Sequence, residues 1–473
     1  MGKSIIPSWL IWVQCTAFAV LYAVWILPGT VGLRNTALVV GALAALYPIY
    51  NFRAKLLQRR AIPIWLIVGL LIWATFHLIF LSQDFAAQFL EFERIWKYVC
   101  IGTIFAFGLG LSLVSADSKA SASDASKPDA CTNKALQSPY WILILLGLSA
   151  PLMIYLLKYA LTTYGSSWGI RVPTYLQIYF IAQPFYIPKT DYVAFCLPAL
   201  AIALGRIEIL LSSREKLKHQ FWKIFFYMTL IVGNLFLFDI QNIKNGIAYS
   251  TVMGALFLTD LFTKITLGKW WKKWALAMLV LVFFVVVLYI HLQKNNSWRA
   301  LVADGKVAVQ TEKYQQWKFA GEQGYPINEY GQIVSATNYE RVAWFVVGMQ
   351  LATQTPLGYG LVEDSFKRIA KANWPETSSN LSHSHSGWLD LFLAVGIPGV
   401  ILVLGSLLLS MSQLKQVQEP WKSMVFWALF ANGILWITTE VSAAITFTAL
   451  IFWVSWAAGL TLLTIDDKIK SFD

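Results

Sequence analysis

Charge is scarce in this sequence of 473 residues. Only 13% of them are Asp, Glu, Lys or Arg, against roughly 25% in a soluble globular protein. That deficit excludes an ordinary water-soluble domain. Cysteine is scarcer still: Cys15, Cys100, Cys131 and Cys196 are scattered, with no CxxC spacing. Three of them lie in or beside apolar segments, which points to buried free thiols rather than a disulfide frame or a metal site. No P-loop, Gly-rich dinucleotide turn or DxD carboxylate pair is present, so no nucleotide is expected to drive the chemistry. Energy for any group transfer then has to come from the substrate itself.

Apolar residues fill the space that charge leaves. They make up 57% of the chain, with 22 Trp, 20 Tyr and 30 Phe, and the mean hydropathy is +0.57. This is the composition of an integral membrane protein with aromatic belts. A bilayer core of ~30 Å needs about 20 apolar residues per helix. On that rule twelve spans are expected, starting near Trp9, Val31, Ile62, Tyr98, Tyr140, Lys189, Trp222, Asn245, Trp274, Trp388, Met424 and Ser442. The fold class is all-α, because backbone in lipid must satisfy its own hydrogen bonds. The first span is too long for a cleaved signal peptide and lacks the small-residue exit.

The net charge of +12 does not call for nucleic acid, since basic residues in a polytopic protein mark cytoplasmic loops. With the N-terminus inside, 21 of the 37 Lys and Arg residues fall on the cytoplasmic side. Nine more sit in one long loop, which the rule leaves out, and seven remain outside. Both termini are therefore expected in the cytoplasm. Residues 1–292 read as nine spans, 293–387 as a long periplasmic loop, and 388–473 as three spans and a cytoplasmic C-terminus. Ala116 to Ser138, rich in Ala, Ser, Asp and Lys, reads as a flexible linker.

The long loop, some 95 residues, far exceeds an ordinary connection of roughly 4–6. It is too aromatic to be disordered. From Asn338 to Ala352 apolar residues return at helical spacing, which predicts a helix lying on the membrane. Pro356, Gly358 and Gly360 then break it. At the end of the loop, SHSHSGWLDLFLAVGIPGV places two histidines where a polar run meets an apolar span. His385 could accept a proton from a hydroxyl near neutral pH; by itself it could equally be a polar cap. A His-x-His pair with His383 could suggest a metal, but no third ligand is nearby.

Three cations stand out. Arg341 opens the amphipathic stretch; it is either an interfacial arginine or a fork for phosphate oxygens. Lys244 lies in FDIQNIKNGIAYS, where Asp239, Asn242, Lys244 and Asn245 interrupt two spans with almost no loop. An ionisable group there marks function by default, or it snorkels to the interface. Arg171, in WGIRVPTYLQ, precedes the sixth span.

One frame is specific: His385, Ser386, nine residues, Gly396, two residues, Gly399. With Arg341, Trp344, Pro356, Gly358 and Gly360 it resembles the O-antigen ligase superfamily of ligases, polymerases and bacterial O-oligosaccharyltransferases. Lys244 departs from that pattern, standing where relatives usually carry arginine. The resemblance implies a membrane glycosyltransferase of the GT-C-like class in the bacterial inner membrane, with a periplasmic active site and no metal or other cofactor. It implies an undecaprenyl-diphosphate-linked glycan donor, a lipid A–core acceptor, and His385 as base. Arg341, Lys244 and, more loosely, Arg171 would touch the diphosphate. A polymerase or a protein O-oligosaccharyltransferase would share the donor and differ in acceptor. A transporter or flippase, the reading from another class, would show internal repeats and charges at mid-span; neither is evident.

Overall fold

The computed structural model describes residues 6–123, 139–179, 184–212, 217–264, 270–294, 300–439 and 444–463. Helices stand at all twelve places where apolar length calls for a span. In chain order they are α1 (Ser8–Val24), α2 (Val31–Asn51), α3 (Ile62–Phe80), α5 (Lys97–Ser123), α6 (Pro139–Tyr164), α7 (Lys189–Ser212), α8 (Leu217–Ile240), α9 (Lys244–Lys264), α10 (Trp270–Lys294), α14 (Gly387–Gln413), α15 (Trp421–Thr438) and α16 (Ala444–Leu462). A short helix, α4 (Phe85–Glu91), leads into α5. Among the described residues, nine helices are long and apolar enough to cross a membrane. The other three are α1, α9 and α15. The first has 17 residues; α9 carries Lys244, Asp260 and Lys264; α15 is 18 residues with three tryptophans and Lys422. The chain is a multi-pass membrane protein.

The expected linker between α5 and α6 is partly helix, since α5 runs on to Ser123. Residues 124–138, and with them Cys131, lie outside the described residues.

The long segment between α10 and α14 holds α11 (Leu301–Ala308), α12 (Ala336–Gln354) and α13 (Ser365–Asn373). It has a small core of its own, in which Val307, Trp317, Tyr339, Trp344, Phe366 and Leu381 meet Leu389 and Leu393 of α14. Buried Asp304 of α11 fixes where α12 begins. Its carboxylate accepts from Asn328 Nδ2 at 2.9 Å, Ser335 N at 3.1 Å and Asn338 Nδ2 at 2.9 Å. A buried carboxylate is tolerable only when so paired.

The same segment is tied to α4 and its N-cap at its far end. Glu91 accepts from the backbone N–H of Val362 and Glu363, at 2.5 and 2.9 Å. Arg368 pairs with Asp84 at 2.6 Å. The site described next is thus anchored to the bundle on two sides.

Candidate active site

The glycines of the sequence frame turn out to shape backbone. α14 is broken at Gly396, which has φ 67° and ψ −171°, a conformation open mainly to glycine. The break would orphan carbonyls in lipid, where each unsatisfied group is costly. Pro398 has no N–H to give Ala394 O, its partner in a regular helix. The loop after α12 supplies the missing donors. Tyr359 N reaches Leu393 O and Gly360 N reaches Ala394 O, each at 2.7 Å. Ile397 N turns to Pro356 O at 2.8 Å, and Trp73 Nε1 of α3 takes Val395 O at 2.7 Å. Gly358, at φ 84°, lies so close that a side chain there would collide with the backbone of Ala394 and Gly396. The Pro-x-Gly-x-Gly loop and the Gly-x-x-Gly frame are two halves of one splice.

That splice fixes the start of α14, and the start of α14 fixes the histidines. Asp390 Oδ1 accepts from Ser384 N at 2.8 Å, and Asp390 N donates to Ser386 O at 2.8 Å. Between those two serines His385 sits at φ 59°, a left-handed conformation uncommon for a non-glycine residue and often found at functional sites. Its ring stacks on Trp344 with centroids 5.1 Å apart and planes 6° from parallel. Trp344 is held in turn by its own N–H, which donates to Trp317 O at 2.9 Å. Burial pushes the His385 imidazole well below the usual histidine range, and the neighbouring His383 and Arg341 push the same way. A histidine so placed is neutral at pH 7 and able to accept a proton.

Arg341 lies one turn before Trp344 on the same face of α12. Its Nη1 donates to Asn245 Oδ1 at 2.9 Å, which brings the loop helix against the first turn of α9. Asn245 is itself fixed by Thr439 Oγ1 at 3.0 Å. Around this contact lies a cavity of about 460 Å³, whose lining includes Lys189, Asn242, Lys244, Asn245, Arg341 and Thr439. Its three cations are all half-buried, and no carboxylate is found among the described lining residues. Such a cavity favours an anion of high charge density.

The structure brings Lys244 and Arg341 together and leaves Arg171 apart. Arg171 is exposed and does not line the cavity. Asp239, in the polar run around Lys244, turns instead to Lys294 at 2.6 Å. Lys189 was not singled out from the sequence, because a lysine opening a span after Pro188 looks like any snorkelling residue. Among the described residues no three His, Cys, Asp or Glu side chains group as a metal would need.

Residues 244–404, about a third of the chain, match the family described as O-Antigen ligase. The matched region begins at Lys244 and takes in Arg341, His385 and both halves of the splice. The resemblance read from the short motifs therefore holds over this whole stretch, and the chain carries an O-antigen ligase-type region. No curated protein matches the chain.

Proposed function

We propose that this protein is an O-antigen ligase, transferring a glycan from undecaprenyl diphosphate to the lipid A–core oligosaccharide at the periplasmic face of the inner membrane. The observation that carries the reading is the cavity shared by Lys189, Lys244 and Arg341, coupled through α12 to the Trp344–His385 stack. The cations hold the donor diphosphate. Arg341 offers a planar fork and the lysines offer point charges.

In the proposed reaction the acceptor hydroxyl attacks the anomeric carbon from the face opposite the diphosphate. His385 takes the hydroxyl proton as the new C–O bond forms. The bond to the diphosphate breaks, and its electron pair leaves on an anion already neutralised by the cavity, so no acid is required. Neither a metal nor a nucleotide sugar enters. The configuration inverts, as in a GT-C-like enzyme, and both termini lie in the cytoplasm.

Deleting the gene and examining the lipopolysaccharide tests the acceptor. A core bare of long chains, with lipid-linked polymer accumulating, is the result expected. A core bearing a single repeat unit would instead identify a polymerase, and unchanged lipopolysaccharide would direct attention to a protein acceptor.

A further inference from the structure

His383 takes no part in the reaction just described, yet it is built into the site. Its Nε2 lies 3.2 Å from Nδ1 of His385. The two rings meet edge to face, with centroids 4.4 Å apart and planes at 89°. On its other side, His383 Nδ1 lies 2.6 Å from Ser382 Oγ. Trp344 is stacked on His385 and meets His383 edge-on, with centroids 6.1 Å apart.

A hydrogen bond between two neutral imidazoles leaves two assignments, since one ring donates and the other accepts. If His383 donated from Nε2, His385 would carry its proton on Nε2, and the nitrogen turned away from its partner would be no base. If His385 donates from Nδ1, its Nε2 keeps a lone pair. His383 then bears its own proton on Nδ1 and can donate it to Ser382 Oγ. Only the second arrangement makes a continuous chain that also leaves His385 basic.

We infer that His383 is a positioning residue that holds His385 in the Nδ1–H tautomer, so that Nε2 receives the acceptor's proton. The inference rests on His385 being the base. In the step, the acceptor O–H bond breaks and the Nε2–H bond forms, while the oxygen's electron pair goes to the new glycosidic bond. The imidazolium so formed still donates from Nδ1 to His383. The charged and titratable groups around the pair are Arg341 and Glu340 from α12, Asp390 from α14, and Tyr325, whose hydroxyl donates to Glu340 at 2.6 Å. Burial raises the Glu340 carboxyl, and Tyr325 and His383 draw it back. The Glu340 carboxyl thus lies within electrostatic reach of His383.

Glutamine and asparagine separate this role from simple packing. The Oε1 of a glutamine reaches about as far as an imidazole Nε2 and can accept the Nδ1–H; the Oδ1 of an asparagine stops a bond short. His383→Ala, His383→Asn and His383→Gln are assayed in the purified full-length protein beside His385→Ala, with kcat, donor KM and the pH profile measured. Ala and Asn should lower kcat by about 10- to 100-fold, part of the 10²–10⁴-fold a positioned base supplies, with donor KM unchanged. Gln should recover to within a few-fold of wild type. Its acid limb should stay near that of wild type, because glutamine accepts the same Nδ1–H. Full kcat in His383→Ala, or a Gln variant no better than Asn, overturns the inference while leaving His385 as base. Turnover by His385→Ala removes the base, and the inference with it. Should Ala not fold, the Gln and Asn variants, alike in chemistry and one methylene apart, still decide the question.

Discussion

Arg341 of the long loop donates to Asn245 on the first turn of α9 at 2.9 Å, across 96 residues of sequence. The bond joins a loop helix to the first turn of a bundle helix at the wall of the cation cavity. It means that the guanidinium is oriented before any substrate arrives, which would lower the cost of binding the proposed diphosphate. Arg341→Ala should therefore lower transfer by on the order of 10²-fold or more. Arg341→Lys should recover little, since a point charge replaces the fork. Full activity in the lysine variant would show that only charge matters there.

Lys244 and Lys189 share the cavity with Arg341, yet neither has its geometry. Lys244→Arg should be tolerated, and Lys244→Ala should be severe. Lys189→Ala should chiefly raise the donor KM, because it removes a charge at the edge of the anion rather than the oriented fork. Donor titrations on the three purified variants check this. Wild-type donor KM in both alanine variants would make the lysines interfacial anchors only.

The splice between the loop and α14 makes a prediction about stability rather than chemistry. Gly358→Ala should destabilise the detergent-solubilised protein, because a left-handed residue with a Cβ costs about 1–2 kcal/mol before the collision with α14 is counted. Trp73→Phe, which strands Val395 O, should cost about 1–3 kcal/mol. A lower Tm in both, with the helical content kept, is the expected readout; an unchanged Tm in Gly358→Ala would mean the loop is not seated on the break.

Protonation makes a fourth prediction. In the proposed mechanism the neutral form of His385 does the work, and burial, with His383 and Arg341 beside it, lowers its pKa. The base is therefore lost only as pH falls through that lowered value. kcat/KM should persist through pH 6.5, the ordinary histidine value, and decline below it. An acid limb centred above 6.5 would contradict the environment described for His385.

Much of the architecture could be read from the chain because lipid imposes a length rule on helices, and a helix stands at each place where that rule was met. The site was readable only in part. Arg171 precedes α7 and Lys189 opens it, and composition cannot separate them. One lies in an exposed loop and the other on the first turn of a helix facing the cavity. The motif glycines were visible as spacing, but their reason is a long-range exchange of hydrogen bonds between residues 356–360 and 393–397, which no local pattern encodes. The pairing of His383 with His385 was likewise hidden. Two residues apart, they would share one face of an extended chain, but this segment is no strand, and the left-handed turn at His385 that shapes it here is not announced by any local pattern.

The central claim is that His385 is the base and not a diphosphate ligand. The direct test is transfer of glycan from undecaprenyl diphosphate to acceptor by purified His385→Ala, with donor binding measured in parallel and EDTA present in one arm. Turnover should fall by at least the 10²-fold typical of a lost base, with donor affinity near wild type and no effect of EDTA. Wild-type turnover by His385→Ala, or loss of donor binding along with activity, would contradict the account.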